Sequence, residues 1–243
     1  HLIDFLNPGD SYNTFQFKSD ATKVILEIGS RGKLPLVCGG TGLYIESLLL
    51  DYHFSAAKRQ EDFRREAEHM ENSVLARQIE VLGGELTNED KANRHRLIRK
   101  LEVMLFSEEK KETRESLKIQ NLKVFGIDFP REITRKRITE RLIFRLEHGM
   151  IEEVKALLDA GVSAKWLDAL GLEYRFVSRY LKKQMSYQEM FSQLETAIHQ
   201  FAKRQSTWFR RMEKRGVKIN WIDGQAPLED KMEFILETVD FKL

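Results

Sequence analysis

The stretch from Leu34 to Leu50, LPLVCGGTGLYIESLLL, restricts the fold of this chain more than any other segment. Leu34 to Cys38 is a short apolar run containing Pro35 and stopped by two glycines, which reads as a buried strand. Gly39-Gly40-Thr41-Gly42 then turns the chain into a helix expected over Leu43–Leu50. Upstream, Ser11 or Asn13 is placed to cap a helix running to about Gly29, with Phe15, Ala21, Val24, Ile25 and Ile28 as its apolar stripe. A helix, a strand, a glycine turn and a second helix make a parallel α/β unit. Such sheets bind their ligands beyond the carboxyl ends of the strands, where this glycine loop falls.

The pattern changes after residue 57. From Lys58 to Gln120 glycine occurs only as Gly83-Gly84 and proline is absent, and helices are expected at Glu61–Asn72, Ser73–Leu82 and Asn88–Phe106. A strand over Asn121–Asp128 follows. Next come helices at Glu132–His148 and from Gly149 to Leu158, then Leu167–Leu181 and Ser186–Arg215. A strand at Val217–Ile222 and a last helix at Leu228–Val239 end the chain. The expected architecture is therefore an α/β core formed by residues 1–57 and 121–243, with an all-helical insertion at 58–120. No internal repeat or low-complexity linker interrupts it.

Composition narrows the class. Of 243 residues, 42% are hydrophobic and 32% charged, a globular balance. The longest apolar runs are too short to span a bilayer, so no membrane partner is expected. Cys38 is the only cysteine, which excludes an intramolecular disulfide and suits a reducing, cytoplasmic setting. The six histidines, at positions 1, 53, 69, 95, 148 and 199, have no ligand spacing, and no protein metal site is expected. The net charge of +2 says nothing about nucleic acid, so clustering of the cations has to decide.

Four clusters are candidates for chemistry. The Gly39-Gly40-Thr41-Gly42-Leu43-Tyr44 loop lets backbone approach a ligand, and the helix start behind it favours an anion. A tight turn with Tyr44 in the core satisfies the same residues, and the loop lacks the Lys-Ser/Thr pair of a Walker sequence. On a helix, Arg96, Arg99 and Lys100 share one face while Leu97 and Leu101 turn inward, suiting either a phosphate backbone or surface pairs with Glu89 and Glu102. In Lys203-Arg204-Gln205-Ser206-Thr207-Trp208-Phe209-Arg210-Arg211, cations interleave with an indole, as base stacking beside phosphate contacts requires. Trp208 and Phe209 as core anchors is the alternative. Arg137, Arg141 and Arg145 recur every fourth residue and would line either a diphosphate or a solvated face.

In this order the segments resemble the tRNA dimethylallyltransferase (tRNA isopentenyltransferase) family along essentially the whole chain. His1-Leu2-Ile3-Asp4 with Asn7-Pro8 is similar to the family's HHLID…P segment. Gly32-Lys33-Leu34-Pro35 before Gly39-Gly40-Thr41-Gly42-Leu43-Tyr44 is similar to its GKLP…GGTGLY signature. Asn93, Arg96, Leu97, Ile98, Arg99 and Glu102 fit N-x-x-R-L-I-R-x-x-E, and Lys203 to Arg210 fits KRQ-x-TWFR. The resemblance implies a P-loop NTPase-like parallel-sheet core, incomplete at its amino end here, with a helical insertion that grips the anticodon arm of tRNA. It implies attack by the exocyclic amine of an adenosine next to the anticodon on C1 of dimethylallyl diphosphate, with Mg²⁺ helping to neutralise the departing diphosphate. Thr41 would lie beside the reaction channel, and Gly39, Gly40, Tyr44, Arg137 and Arg141 would be on the substrate side. Arg64, Arg96, Arg99, Tyr174, Arg175, Lys203, Arg204, Gln205, Thr207, Trp208 and Arg210 would face tRNA. A monomer is expected.

Two departures accompany the resemblance. The family's P-loop and its catalytic aspartate would precede His1, so the chain as given is not expected to turn over. The family's Gly-Tyr-Lys-Glu stretch appears as Glu173-Tyr174-Arg175-Phe176. An adenylate isopentenyltransferase and an inactive RNA-binding homologue are the competing readings. The long insertion and the KRQ-x-TWFR element argue against the first.

Overall fold

The computed structural model of the protein describes residues 1–50, 59–106 and 121–239. The chain divides into two compact units, His1–Leu50 with Leu117–Leu243, and Asp51–Ser116. The junctions expected at 57/58 and 120/121 fall in or beside segments outside the described residues.

In the larger unit, helix α1 (Thr14–Ser30) starts at Asn13, whose side chain accepts the Gln16 amide while Gln16 returns a bond to the Asn13 amide, both 3.0 Å. This reciprocal box satisfies two of the amides a helix start leaves without partners. Gly32, at φ +68°, turns the chain away beyond the helix end. Helix α2 (Gly42–Leu49) follows the glycine loop. Strand β1 (Val124–Asp128) leads into α7 (Arg131–Glu147) and α8 (Met150–Asp159), which are separated by Gly149 at φ +96°. After α9 (Ala164–Leu170) and α10 (Leu172–Leu181), the 28-residue α11 (Tyr187–Lys214) begins with a Ser186–Glu189 capping box. Strand β2 (Ile219–Asp223) and α12 (Leu228–Val239) complete the unit.

Over the stretches 138–146 of α7 and 190–202 of α11 every fourth residue is apolar, and these rows belong to one core. Ile138, Leu142 and Leu146 pack with Met190, Leu194 and Ile198, joined by Met150, Val154, Leu167 and Val177. Burying each such side chain contributes roughly 1.5–3 kcal/mol, which makes this cluster the foundation on which α11 stands. Strands β1 and β2 pair in parallel with Val124 opposite Ile219 and Asp128 opposite Asp223. The helices between them supply the crossover that parallel pairing demands.

In the smaller unit, α3 (Glu61–Ala67), α4 (Asn72–Val81), α5 (Asn88–Lys91) and α6 (Arg94–Phe106) enclose a separate core of Ala67, Leu75, Ile79, Leu97, Ile98 and Leu101. The Arg94 guanidinium bonds the carbonyls of Ala67 (2.8 Å) and Glu68 (2.6 Å), closing the end of α3.

Four expectations need correction. Leu34–Cys38 is not a strand: Leu34, Leu36 and Val37 are 63%, 82% and 50% exposed, and Cys38 is exposed and not buried. A strand exists through its ladder, and the sheet of the described residues contains only β1 and β2. The helix expected over Glu61–Asn72 stops at Ala67, where the Arg94 guanidinium takes its terminal carbonyls. The helix expected over Asn88–Phe106 breaks near Asn93, whose side chain accepts the Arg96 amide at 3.2 Å and so starts a new helix. The one expected over Leu167–Leu181 breaks at Gly171, which is fully extended between α9 and α10.

Candidate functional site

The glycine loop and the second half of α11 form one structure. Gln205 donates its side-chain amide to the Gly40 carbonyl. A side chain at Gly40 would run into that amide, and one at Gly42 would come within 2.5 Å of the Trp208 ring. Gly40 and Gly42 are therefore needed for close approach of α11. Thr41 occupies the cap position of α2, is exposed, and makes no side-chain capping bond. Its hydroxyl stands beside the first amides of an eight-residue helix, a place that favours a negatively charged group. Gly39 is exposed, with nothing within 4 Å of where a side chain would point. Tyr44 instead stacks on Phe17 at 4.3 Å and 15°, and burial raises its phenol above the usual range. Its ring belongs to the packing between α1 and α2.

α11 presents two faces here. Lys203, Arg204, Thr207 and Arg210 are exposed. Gln205 and Trp208 face the loop, and the Arg211 guanidinium lies 4.2 Å from the centre of the Trp208 ring. Arg211 and Arg215 both reach Glu46 of α2, at 3.7 and 2.6 Å. The indole nitrogen of Trp208 is buried without a hydrogen-bond partner among the described residues. The element is thus both core anchor and cationic surface, divided by helical period.

The other candidates separate. Arg137 is exposed and stands over the Phe129 ring at 4.6 Å, Arg141 is exposed, and Arg145 pairs with Glu173 at 3.1 Å. Tyr174 donates its phenol to Glu153, and burial followed by that carboxylate pushes its pKa up to about 12. Arg175 donates to the Asp168 carbonyl at 2.9 and 2.7 Å, at the end of α9. Both side chains are occupied within the helical core of the larger unit.

In the smaller unit, Arg64 and Arg99 converge on Glu102, whose side chain is fully buried. Arg64 grips it with two bonds of 2.7 and 2.8 Å, Arg99 adds one of 2.6 Å, and the Gln60 amide a fourth of 2.8 Å. Bonding to Glu102 raises the Arg64 guanidinium further, and the cation remains charged at any ordinary pH. Arg96 is more open, 44% exposed, with Glu89 at 3.4 Å and Asp90 at 3.5 Å. Lys100 bonds the Glu85 carbonyl.

Sequence reading gave Glu46 no role, and it named Glu102 only as a motif letter and a possible surface partner, whereas its side chain is fully buried. A signal was present for each: Glu46 interrupts the apolar run Ile45 to Leu50, and Glu102 stands one turn beyond Ile98 on the inward side of α6. A carboxylate at an interior helical position needs a cation, and both find two. These pairings also bear on Mg²⁺. Among the described residues, no group of three His, Cys, Asp or Glu side chains is arranged to hold a metal, and Glu46 is committed to guanidiniums. A magnesium ion held largely by diphosphate oxygens would not need such a group. No helix among them is long and apolar enough to cross a membrane.

Residues 1–212 match the family model described as IPP transferase. The chain belongs to the IPP transferase family. This member is 40% identical, over its entire 243 residues and 79% of the relative, to tRNA dimethylallyltransferase 2 of Phocaeicola vulgatus. It is 43% identical over 239 residues to tRNA dimethylallyltransferase 2 of Pelobacter propionicus, covering 98% of this chain and 76% of that one. Among solved structures, it resembles the tRNA isopentenylpyrophosphate transferase of Bacillus halodurans with a TM-score of 0.68 at 27% identity, covering 99% of this chain and 78% of that one. A eukaryotic dimethylallyltransferase acting on tRNA has a TM-score of 0.74 at 18% identity, covering 99% of this chain and 65% of that one, a likeness of fold. The helix-rich α/β architecture with its parallel pair is thus that of the family.

Proposed function

We propose that this IPP transferase is a tRNA dimethylallyltransferase. The exocyclic N6 of the adenosine next to the anticodon attacks C1 of dimethylallyl diphosphate. The C1–oxygen bond breaks, diphosphate leaves with the electron pair, and N6 gives up a proton to solvent. The observation that carries the reading is the division of α11, with one face seated on the glycine loop and the other exposing Lys203, Arg204, Thr207 and Arg210. A single rigid helix thereby ties a surface suited to RNA phosphates to a loop suited to an anionic prenyl donor. Gly39, Gly40 and Thr41 form the donor side, where the Thr41 hydroxyl is positioned to bond diphosphate oxygen or the incoming amine. Arg137 and Arg141 offer further cations on α7. In the smaller unit Arg96 is a phosphate contact, and Arg64 and Arg99 act with it from the Glu102 anchor. A free nucleotide would make no use of that unit, which favours tRNA over an adenylate acceptor. The protein acts as a monomer in the cytoplasm, where its tRNA substrate resides.

The test, made on the full-length protein, is transfer of labelled dimethylallyl from its diphosphate to an anticodon stem–loop containing the acceptor adenosine. Label recovered on AMP but not on the stem–loop would sink the assignment. Two variants refine it. Arg96→Ala should weaken stem–loop binding and flatten its dependence on salt by about one unit of slope, with donor binding unchanged. Unaltered affinity and slope would remove Arg96 from the interface. Thr41→Ala should lower kcat on the order of ten-fold with little change in KM for tRNA; a wild-type kcat would exclude the hydroxyl from the reaction.

A further inference from the structure

We infer that Glu46 is a positioning residue for the RNA-facing half of α11, an inference that rests on the tRNA reading above. The hydrophobic cluster holds α11 through Met190, Leu194 and Ile198, with Phe191 and Ala202 alongside. Beyond Ala202, Met212 is the only fully buried apolar residue of the helix among the described residues. The segment carrying Lys203, Arg204, Thr207 and Arg210 therefore depends on its contacts with residues 40–46 of the loop and α2. Gln205, Trp208, Arg211 and Arg215 make those contacts at spacings of three, three and four, which is one stripe of a helix.

The stripe ends on an unequal charge cluster. Glu46 is completely buried, whereas the side chains of Arg211 and Arg215 are 39% and 45% exposed. A carboxylate in that position has to keep its cations, while half-exposed guanidiniums lose little by turning into water. Glu46 is thus the member that holds the helix end down. Glu46 Oε2 and Arg211 Nε have no hydrogen-bond partner among the described residues, so this side of the cluster is held by charge at 3.7 Å and not by a paired hydrogen bond. A neutral isostere cannot replace it. Without the anchor, Arg211 leaves the Trp208 ring, Trp208 and Gln205 loosen from Gly42 and Gly40, and the outer cations lose their fixed spacing.

The sign of one measurement separates positioning from simple electrostatics. Glu46→Gln makes the protein more positive by one charge, which by itself tightens binding to a polyanion. Positioning predicts weaker binding instead. The experiment measures anisotropy of a labelled anticodon stem–loop with wild type, E46Q, E46D and Arg215→Gln, at a temperature where circular dichroism shows all four folded. Tryptophan emission and hydrogen exchange of residues 203–214 are recorded on the same samples. The expected result for E46Q is affinity reduced on the order of five-fold, emission shifted to the red and faster exchange. E46D should recover most of the loss because it keeps the charge. R215Q loses a positive charge, so its affinity falls on either reading; its emission and exchange should move as in E46Q but less, and these two readouts carry the test if E46Q does not fold. E46Q affinity equal to or tighter than wild type, with unchanged emission and exchange, overturns the inference. A wild-type protein that does not bind the stem–loop overturns the proposed function instead. In that case unchanged exchange in E46Q still removes the clamp.

Discussion

Glu102→Ala is expected to destabilise the smaller unit by about 3 kcal/mol, with the unit melting before the rest of the chain. The carboxylate is fully buried and accepts the Gln60 amide, two bonds from Arg64 and one from Arg99. Truncation leaves the Arg64 guanidinium, 21% exposed, without its counter-charge. Arg99 is 39% exposed and can turn to solvent, so most of the loss falls on Arg64 and on the Gln60 amide. Hydrogen exchange should accelerate across 59–106 and stay unchanged across α7 to α11. A loss below about 0.5 kcal/mol, the level of an ordinary surface substitution, would show that the cluster is incidental. The same carboxylate sets a pH dependence. Burial would raise Glu102, but the bonds from Arg64, the Gln60 amide and Arg99 outweigh it and hold the pKa at about 2. An unfolded glutamate titrates near about 4.3, so the folded value is depressed. The contribution is complete above the unfolded value and is lost as pH falls towards the folded one. Acid should therefore weaken this unit more steeply in wild type than in the alanine variant.

Gly40→Ala is expected to cut prenyl transfer on the order of a hundred-fold, the scale of a displacement of about 1 Å at a reacting centre, while shifting stability by less than about 1 kcal/mol. The added methyl meets the end of the Gln205 side chain, which can swing away at small cost to the fold. What is lost is the bond to the Gly40 carbonyl that sets the loop beside Thr41. Thermal unfolding together with steady-state kinetics reads both quantities. Wild-type turnover would mean that the loop needs no support from α11. A large fall in stability would mean that the glycine serves packing and not the reaction.

The parts of this molecule that were legible in its sequence depend on near neighbours. Asn13, Gly149 and Ser186 mark helix ends because capping acts within one turn, and the fourfold spacing of apolar residues in α7 and α11 names the face that meets the core. The motifs of the glycine loop and α11 could be recognised by their letters alone, but not that they would touch. The failure at Leu34–Cys38 has the same origin, since apolarity can be read locally while a strand requires a neighbour to pair with. Arg64, Tyr174 and Arg175 show the limit for cations and phenols. Their composition suits RNA, yet each is bonded within the protein to a partner whose position only the fold supplies.

The bond between Gln205 and the Gly40 carbonyl joins residues 165 apart in the chain, and that between Arg215 and Glu46 spans 169. The ties that close the Glu102 cluster span at most 42. Closing a long loop costs entropy before any contact rewards it. During synthesis the smaller unit can therefore mature while the rest of the chain is still emerging. The glycine loop has to wait until Gln205 and Arg215 have emerged before it acquires its shape. A chain that stops short of Gln205 holds the loop's sequence without its geometry, so competence at this site arrives later than the fold of the smaller unit.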